Sequence, residues 1–527
     1  AAGGASVAAV EAALEALRAD IAERWGEGED IEAFFASVNF GVGEELEARQ
    51  RERARRQFLR ALAEAERGRQ GDGVFTVTTM GTSVAASHDN FFKQSFTHVL
   101  GEWLAPVLAA AGVELRVWNH AMGANPVIPQ MFCLGALGRQ ETDLYIYEFN
   151  MMLSSRDRGP NWQVENFLRS AFSHPRQPAV VAVKVDSSGK SVVNANPPKC
   201  KPYKLPLPGD KSIPEKYFGR NLEMMRRYSD AGYGIQFWSV DEARSCCQDC
   251  IKSERFTHSW SVKDKAFRGG DWHPGPHGHY LAGQVLAYSY GRLFLEAARA
   301  FAALKASGAD LDPGKLGPAA PAGPLPAPQT KPCADEPMCL QADTRCYTTF
   351  EPKGGQDLDL ASFVAAPPTR FNETRPALPT PCGQPLHGRQ ACLDYHGLDR
   401  WIGGIWPLDE KAVLSKGVPA GYLDRKWCLL GRAASGPLRL DLNAPRAGPG
   451  LRVCHASGDF GKYPNGLNAQ VQTYQFRING KDVLAQQVSE DTSLCAKIDI
   501  SVEAGPFELE ISAPSDQLIA ISHVILP

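Results

Sequence analysis

Two short stretches of this chain carry residues that could do covalent chemistry together. In the first, an apolar, β-branched run, Phe75-Thr-Val-Thr-Thr-Met80, ends in Gly81-Thr82-Ser83. It gives way to a helical stripe of Phe91, Phe92, Phe96, Val99, Leu100, Trp103, Leu104, Val107 and Leu108. A serine at such a strand, turn and helix junction stands at the carboxyl end of a strand. Its hydroxyl is exposed, and N–H groups of the following helix are placed to receive an oxyanion. The second stretch, Gly269-Gly-Asp271-Trp272-His273-Pro-Gly-Pro-His277-Gly-His279, lies about 190 residues downstream. An acyl-transfer serine needs a base to take its proton and a carboxylate to orient that base. Asp271 and His273 offer both, on a loop that proline and glycine hold in a fixed turn.

Each of these residues also has a plainer reading. Ser83 suits a helix N-cap, and His88 suits capping and packing near the same helix start. Three histidines in seven residues admit a metal site, although zinc catalysis usually adds a carboxylate or cysteine at defined spacing. His277 and His279 read as loop and helix-start structure beside the one imidazole the chemistry needs. Cys246-Cys247-Gln-Asp-Cys250 is half of a metal knuckle with no second half at knuckle spacing. Disulfides, with Cys200 as one partner, fit better and leave Cys133 as the unpaired cysteine, buried after the second strand.

The elements that must position Ser83 and His273 follow from periodicity. Apolar strands read at Val74–Met80, Glu114–Asn119, Asp143–Phe149, Ala179–Val185 and Gly234–Val240, and helices at 90–111, 161–173, 214–231 and 279–304. This alternation predicts a three-layer α/β sandwich with a largely parallel sheet. In such sheets the ligand crevice lies beyond the carboxyl ends of the strands, where Ser83 and the segments after Asn119 and Glu148 fall. Residues 1–71 read as a helical extension, with oppositely charged side chains three or four apart from Glu44 to Arg69, which suits a stalk or an outer helical layer. Residues 307–332 are rich in Pro, Gly and Ala and read as an extended linker between an α/β domain at 72–306 and a second domain at 333–527. In that last domain the helical period disappears. Short alternating stretches, Leu438–Leu442, Gln470–Ile478, Ala496–Val502 and Phe507–Ile511, predict an antiparallel, jelly-roll-like β-sandwich stapled by cystines.

Gly81-x-Ser83, Asn119-His-Ala-Met-Gly123-Ala-Asn125-Pro, Glu148-Phe-Asn150, and Asp271-x-His273-Pro with Gly278-His279 resemble, in order, the four blocks of the SGNH (GDSL-like) hydrolase superfamily. The resemblance covers roughly residues 72–304 and suggests a divergent eukaryotic branch with an appended C-terminal β-domain. It implies a flavodoxin-like sheet and a serine esterase or acyltransferase with Ser83 as nucleophile, His273 as base and Asp271 as its orienter. The Ser83 and Gly123 N–H groups with the amide of Asn150 or Asn125 would form the oxyanion hole, and Asn119, Glu148 and Trp272 would contact substrate. Two spacings differ from the family pattern. Asp271 is one residue closer to the histidine than the family's Asp-x-x-His, so it reaches the ring from another angle or a backbone carbonyl orients the base. A register that puts Met152 at the family's asparagine position would leave Asn125 or Asn119 to supply the amide, or none. Losing one such donor typically costs about 2.7–4 kcal/mol of barrier. Glu148 is also compatible with a carboxylate satisfied by neighbouring backbone donors.

Composition narrows the setting. A chain of 527 residues with 43% hydrophobic and 22% charged residues is of globular class and long enough for two or three domains. A formal net charge of −3, from 56 basic and 59 acidic residues, gives no argument for nucleic acid or an anionic membrane as the main partner, and no nucleic-acid partner is expected. Eight of the 13 cysteines fall after residue 300, which suits a disulfide framework in an oxidising compartment: secretory lumen, cell surface or extracellular space, with a targeting segment outside this chain. Asn372-Glu-Thr is a glycosylation acceptor in a Pro-rich loop. Trp401, Trp406 and Trp427 in the β-domain are either core or a sugar-stacking platform. The expected chemistry needs no cofactor or metal. It is hydrolysis or transfer of an acyl group, such as acetyl, on a polysaccharide or glycoprotein glycan. The rival is a non-catalytic structural or glycan-binding component of an extracellular assembly that keeps the fold alone.

Overall fold

The structure, a computed structural model, describes residues 7–39, 44–68, 73–82, 84–86, 95–121, 131–137, 141–148, 162–185, 219–240, 243, 274, 276–318, 324–330, 345–348, 360–365, 390–395, 398–402, 429–432, 436–454, 473–484, 488–492, 495–514 and 518–526. Five parallel strands, β1 (Val74–Gly81), β2 (Glu114–Asn119), β3 (Leu144–Glu148), β4 (Ala179–Lys184) and β5 (Ile235–Ser239), form one sheet in the order β2-β1-β3-β4-β5. That is the flavodoxin-like doubly wound order, with its switch point at β1. β1, β3, β4 and β5 are buried on both faces, so they read as continuous apolar and β-branched runs, while β2 at the edge is only partly buried.

Successive side chains leave a strand on opposite faces, and the chain uses this to build two cores. Phe75, Val77, Leu144, Ile146, Val181 and Trp238 meet α1 (Val7–Trp25), α2 (Glu29–Phe35), α3 (Glu44–Glu66), α4 (Phe96–Ala109) and the long helix α8 (Pro276–Ala306). Met80, Tyr145, Tyr147, Val180, Ala182 and Ile235 meet the segment before α5 (Leu134–Leu137), together with α6 (Trp162–Phe172) and α7 (Gly219–Tyr228). The first three helices belong to the sandwich itself. Phe58 of α3 stacks on Phe75 of β1 with ring centroids 4.2 Å apart. Arg60 of the same helix pairs with the buried Asp143 at the amino end of β3. Asn39 continues the sheet past β5, its N–H donating to Phe237 O and its side-chain oxygen accepting the Phe237 N–H.

The Pro-rich connection is held against the α/β domain. A short helix, α9 (Pro313–Leu316), capped by Asp312, opens it. Further on, Gln329 and Thr330 donate their N–H groups to the buried carboxylate of Glu165 at 2.7 and 2.8 Å, and Arg169 donates to Pro326 O at 2.6 Å. Proline and alanine limit the entropy lost on docking, because the unfolded segment is already stiff.

The C-terminal part is antiparallel. Its sheets run β10-β16-β12-β13, β14-β15-β11-β18-β6 and β17-β9-β8-β7. Here β6 is Arg345–Thr348, β7 Gln390–Tyr395, β8 Leu398–Ile402, β9 Leu429–Arg432, β10 Leu438–Ala444 and β11 Gly448–Cys454. β12 is Gln475–Ile478, β13 Lys481–Asp482, β14 Val488–Thr492, β15 Cys495–Val502, β16 Gly505–Ser512, β17 Leu518–Ile521 and β18 His523–Leu526. β10 alternates buried and exposed residues along its length, as a strand with one face on a core must. Its Leu438, Leu440 and Leu442 share a core with Leu451, Val453, Ile498 and Val524 of the facing sheet. Cys454 and Cys495 are direct cross-strand partners, 4.0 Å apart at Cα, and form a disulfide.

A second disulfide corrects the assignment of Cys133 as unpaired. Cys133, buried just before α5, is bonded to Cys346 of β6 and joins the α/β domain to the β-domain. Beside it, the buried guanidinium of Arg452 in β11 lies 4.6 Å from the Phe132 ring centroid. A cationic side chain this far from water is stabilised by the ring face and by the carbonyl of Gly450, 3.4 Å away. Among the described residues no helix is long and apolar enough to cross a membrane.

Candidate functional site

Three strand ends converge where β1 leaves the sheet. Gly81 pairs in register with Glu148, the last residue of β3. A Cβ at Gly81 would come within 2.7 Å of both Ala85 Cβ and Glu148 O, so the turn closes only over glycine. The Thr82 N–H donates to Glu148 O at 3.0 Å and to Glu148 Oε2 at 3.2 Å. The Thr82 hydroxyl donates to the same Oε2 at 2.8 Å, and the Ala85 N–H reaches it at 3.3 Å. The Val84 N–H donates to Thr82 Oγ1 at 3.4 Å and the Ala86 N–H to Thr82 O at 2.9 Å. Among the described residues of this turn, every backbone N–H therefore has an acceptor.

The end of β2 grips the same turn from its other side. Asn119 donates its amide to Ala85 O at 2.8 Å, and its side-chain oxygen accepts the Ala121 N–H at 3.0 Å. One asparagine thus fixes both the turn after β1 and the start of the loop after β2. The far end of that loop, at Phe132 and Cys133, is seated on β11 and β6 of the β-domain.

The start of α8 is brought to the same edge of the sheet. Ser95 caps α4 by accepting the His98 N–H at 3.2 Å, and the Thr97 hydroxyl donates to Thr79 of β1 at 2.8 Å. In the first turns of α8, His279 Nδ1 accepts the Phe96 N–H at 3.2 Å, and the two rings lie nearly parallel with centroids 6.0 Å apart. One turn further along, a Cβ at Gly283 would come within 2.5 Å of Val99 Cβ, so the two helices cross at backbone contact. Pro274, one residue after His273, is buried. Burial raises the Tyr147 hydroxyl well above its ordinary pKa, with the neighbouring Glu148 charge acting in the same direction.

Of the residues singled out from sequence, Asn119 and Glu148 stand in this cluster. Both use side-chain atoms to hold protein backbone. His279 is a helix-start residue, as expected from its position. Ser83, His88, Gly123, Asn125, Asn150, Asp271, Trp272, His273, Asn372, Trp406, Trp427 and the cysteines at 200, 246, 247 and 250 lie outside the described residues, as do the side chains of His277 and Trp401. One expectation is corrected by the helix boundary. α4 begins at Phe96 behind its Ser95 cap, so the helix that starts there does not follow Ser83 directly and its first N–H groups do not belong to the Ser83 turn. Thr82 and Ser95 were not singled out from sequence. The cue for Thr82 is a hydroxyl residue between the glycine and serine of a strand-end turn, and the cue for Ser95 is its place before Phe96 of the apolar stripe. Among the described residues, no three His, Cys, Asp or Glu side chains gather as a metal site would require.

No family model and no curated protein sequence matches the chain. Among solved structures, the chain is similar to a two-domain esterase (CEX) active on acetylated mannans, at 13% identity and a TM-score of 0.38 over 86% of this chain and 91% of that one. A structure of a two-domain esterase (CEX) active on acetylated mannans, co-crystallised with mannopentaose, gives 12% identity and a TM-score of 0.37 over 86% of this chain and 91% of that one. A lipase/acylhydrolase from Enterococcus faecalis is similar at 15% identity and a TM-score of 0.25 over 41% of this chain and 96% of that one.

Proposed function

We propose that the chain is a serine esterase of the SGNH type, with Ser83 as nucleophile, His273 as base and Asp271 as its orienter. The observation that carries this reading is the contact between Phe96 and His279. It ties the start of the helix downstream of Ser83 to the start of the helix downstream of His273. The Ser83 turn is flanked by Glu148 and Asn119 at the carboxyl edge of a parallel sheet, the edge at which doubly wound folds bind ligands.

In this mechanism His273 takes the Ser83 hydroxyl proton as the oxygen attacks the acyl carbon. The proton passes to the departing sugar oxygen, and water, activated by the same imidazole, releases the acid. The Ser83 N–H, with donors from Gly123 and from Asn125 or Asn150, would receive the oxyanion. A sugar hydroxyl in place of water makes the same site an O-acyltransferase. The acyl group we favour is acetyl, carried on a polysaccharide or glycoprotein glycan, because an all-β domain bonded to the α/β domain suits an extended carbohydrate. Two disulfides support an oxidising compartment.

Reaction of the full chain with a fluorophosphonate probe, followed by mass mapping, tests this directly. Labelling on Ser83 that is lost in Ser83→Ala and falls sharply in His273→Ala supports the esterase. A folded chain that stays unlabelled removes it and leaves the non-catalytic scaffold.

A further inference from the structure

The turn that carries Ser83 is organised around one oxygen atom. Glu148 is fully buried, and its Oε2 receives the Thr82 hydroxyl, the Thr82 N–H and the Ala85 N–H. An oxygen that accepts three donors carries no proton of its own. Those donors bracket Ser83 on both sides, one residue before it and two after. The next N–H groups, of Val84 and Ala86, are taken by Thr82 itself. Thr82 is therefore a relay. Its hydroxyl donates a hydrogen bond to Glu148 and accepts the Val84 N–H with a lone pair, so the carboxylate fixes the backbone on either side of the serine through one neighbouring side chain.

We propose that Glu148 is the positioning residue of the Ser83 nucleophile, acting through Thr82 and the Ala85 amide and not by touching substrate. The inference rests on the reading of Ser83 as nucleophile. It explains why a carboxylate, and not a shorter neutral group, ends β3. The Gly81 to Glu148 register sets the reach, and a buried oxygen must satisfy three donors that would otherwise lose their water partners. It also gives the turn a chemical purpose. The described N–H groups on either side of the serine are engaged within the protein and are held in place by it.

The test uses the full chain with Glu148→Met, which keeps the length and removes the acceptor, Thr82→Val, Thr82→Ser and the Glu148→Met/Thr82→Val pair, measured by fluorophosphonate labelling rate and by kcat and KM on p-nitrophenyl acetate. Misplacing the nucleophile should lower kcat and the labelling rate about 10²-fold in Glu148→Met and in Thr82→Val. KM should stay within about twofold, because ground-state binding is untouched. Thr82→Ser, which keeps the hydroxyl, should restore most of the rate, and the double variant should fall no further than the worse single one. A raised KM with unchanged kcat makes Glu148 a substrate contact and overturns the proposal, as does a Glu148→Met variant that labels at the wild-type rate. Wild-type chain that does not label at all overturns the nucleophile itself. Should Glu148→Met fail to fold, the comparison of Thr82→Val with Thr82→Ser decides the matter alone.

Discussion

The backbone N–H of Phe96 is bonded to Nδ1 of His279, 183 positions away in the chain, at 3.2 Å. One contact thereby joins the beginnings of α4 and α8, each of which lies downstream of a candidate catalytic residue. Its strength comes from burial, since neither ring nor amide can turn to water instead.

Replacing His279 should test how far the site depends on that junction. His279→Ala removes an acceptor from a buried N–H and a ring from its stack with Phe96, at a cost of about 1–3 kcal/mol. His279→Phe keeps the stack and loses the acceptor, so it should be the milder change in thermal denaturation. Both should slow fluorophosphonate labelling of Ser83, and a labelling rate equal to wild type in a destabilised His279→Ala chain would show that the junction does not bear on the nucleophile.

Gly81→Ala forces a methyl group to within 2.7 Å of Ala85 Cβ and Glu148 O. Overpacking of this kind costs about 1–3 kcal/mol, and here it must also push β1 from β3 at the end where the turn begins. A lowered melting temperature together with loss of labelling is the expected pair of results.

The Cys133–Cys346 bridge closes a sequence separation of 213 residues between the two halves of the molecule. The double variant Cys133→Ser/Cys346→Ser should be about 2–5 kcal/mol less stable by chemical denaturation. Hydrogen exchange should rise around Phe132 and β6 while the cross-strand pair Cys454–Cys495 keeps the β-domain closed. Unchanged exchange at Phe132 would show that the Arg452 contact is sufficient there.

Glu165 anchors the Pro-rich connection through the N–H groups of Gln329 and Thr330. Glu165→Ala leaves both without their acceptor, for a loss of about 1–3 kcal/mol, and should open the connection to limited proteolysis between α9 and β6. A cleavage rate like that of wild type would count against the clamp.

Two neighbours at the amino end of the sheet should give opposing pH responses. Burial pushes Asp143 up from 3.8 to about 6, against the pull of Arg60 and Arg176 and the Thr76 N–H. Burial, then the Arg176 charge, takes His174 down from 6.5 to about 4. From pH 6 down to 3.8 the folded state holds a proton on Asp143 that the unfolded chain has released, so acidification adds stability through this group. From pH 6.5 down to 4 the unfolded chain binds a proton that folded His174 refuses, so acidification removes stability. In melting curves from pH 4 to 6.5, His174→Gln should therefore tilt the profile toward greater stability in acid and Asp143→Asn toward less. Parallel profiles for the two variants would refute the assignment.

Periodicity along the chain determined the strands and helices and their burial. Phe75 and Val77 point one way from β1 and Met80 the other, and that alternation alone specifies two cores around a parallel sheet. Turn chemistry placed Gly81 at a strand end for the same reason: the residue type reports a local conformational demand. What only the tertiary structure decided are the pairings between distant residues. Cys133 finds Cys346, Arg60 of a strongly charged helix enters the sheet to meet Asp143, and the Pro-rich connection lies down on Glu165. Glu148 closes its carboxylate over Thr82 and Ala85 in the same way. Local sequence records what each segment must bury. It does not record which of many buried polar groups will be the one within reach, because that is set by the packing of segments remote in the chain.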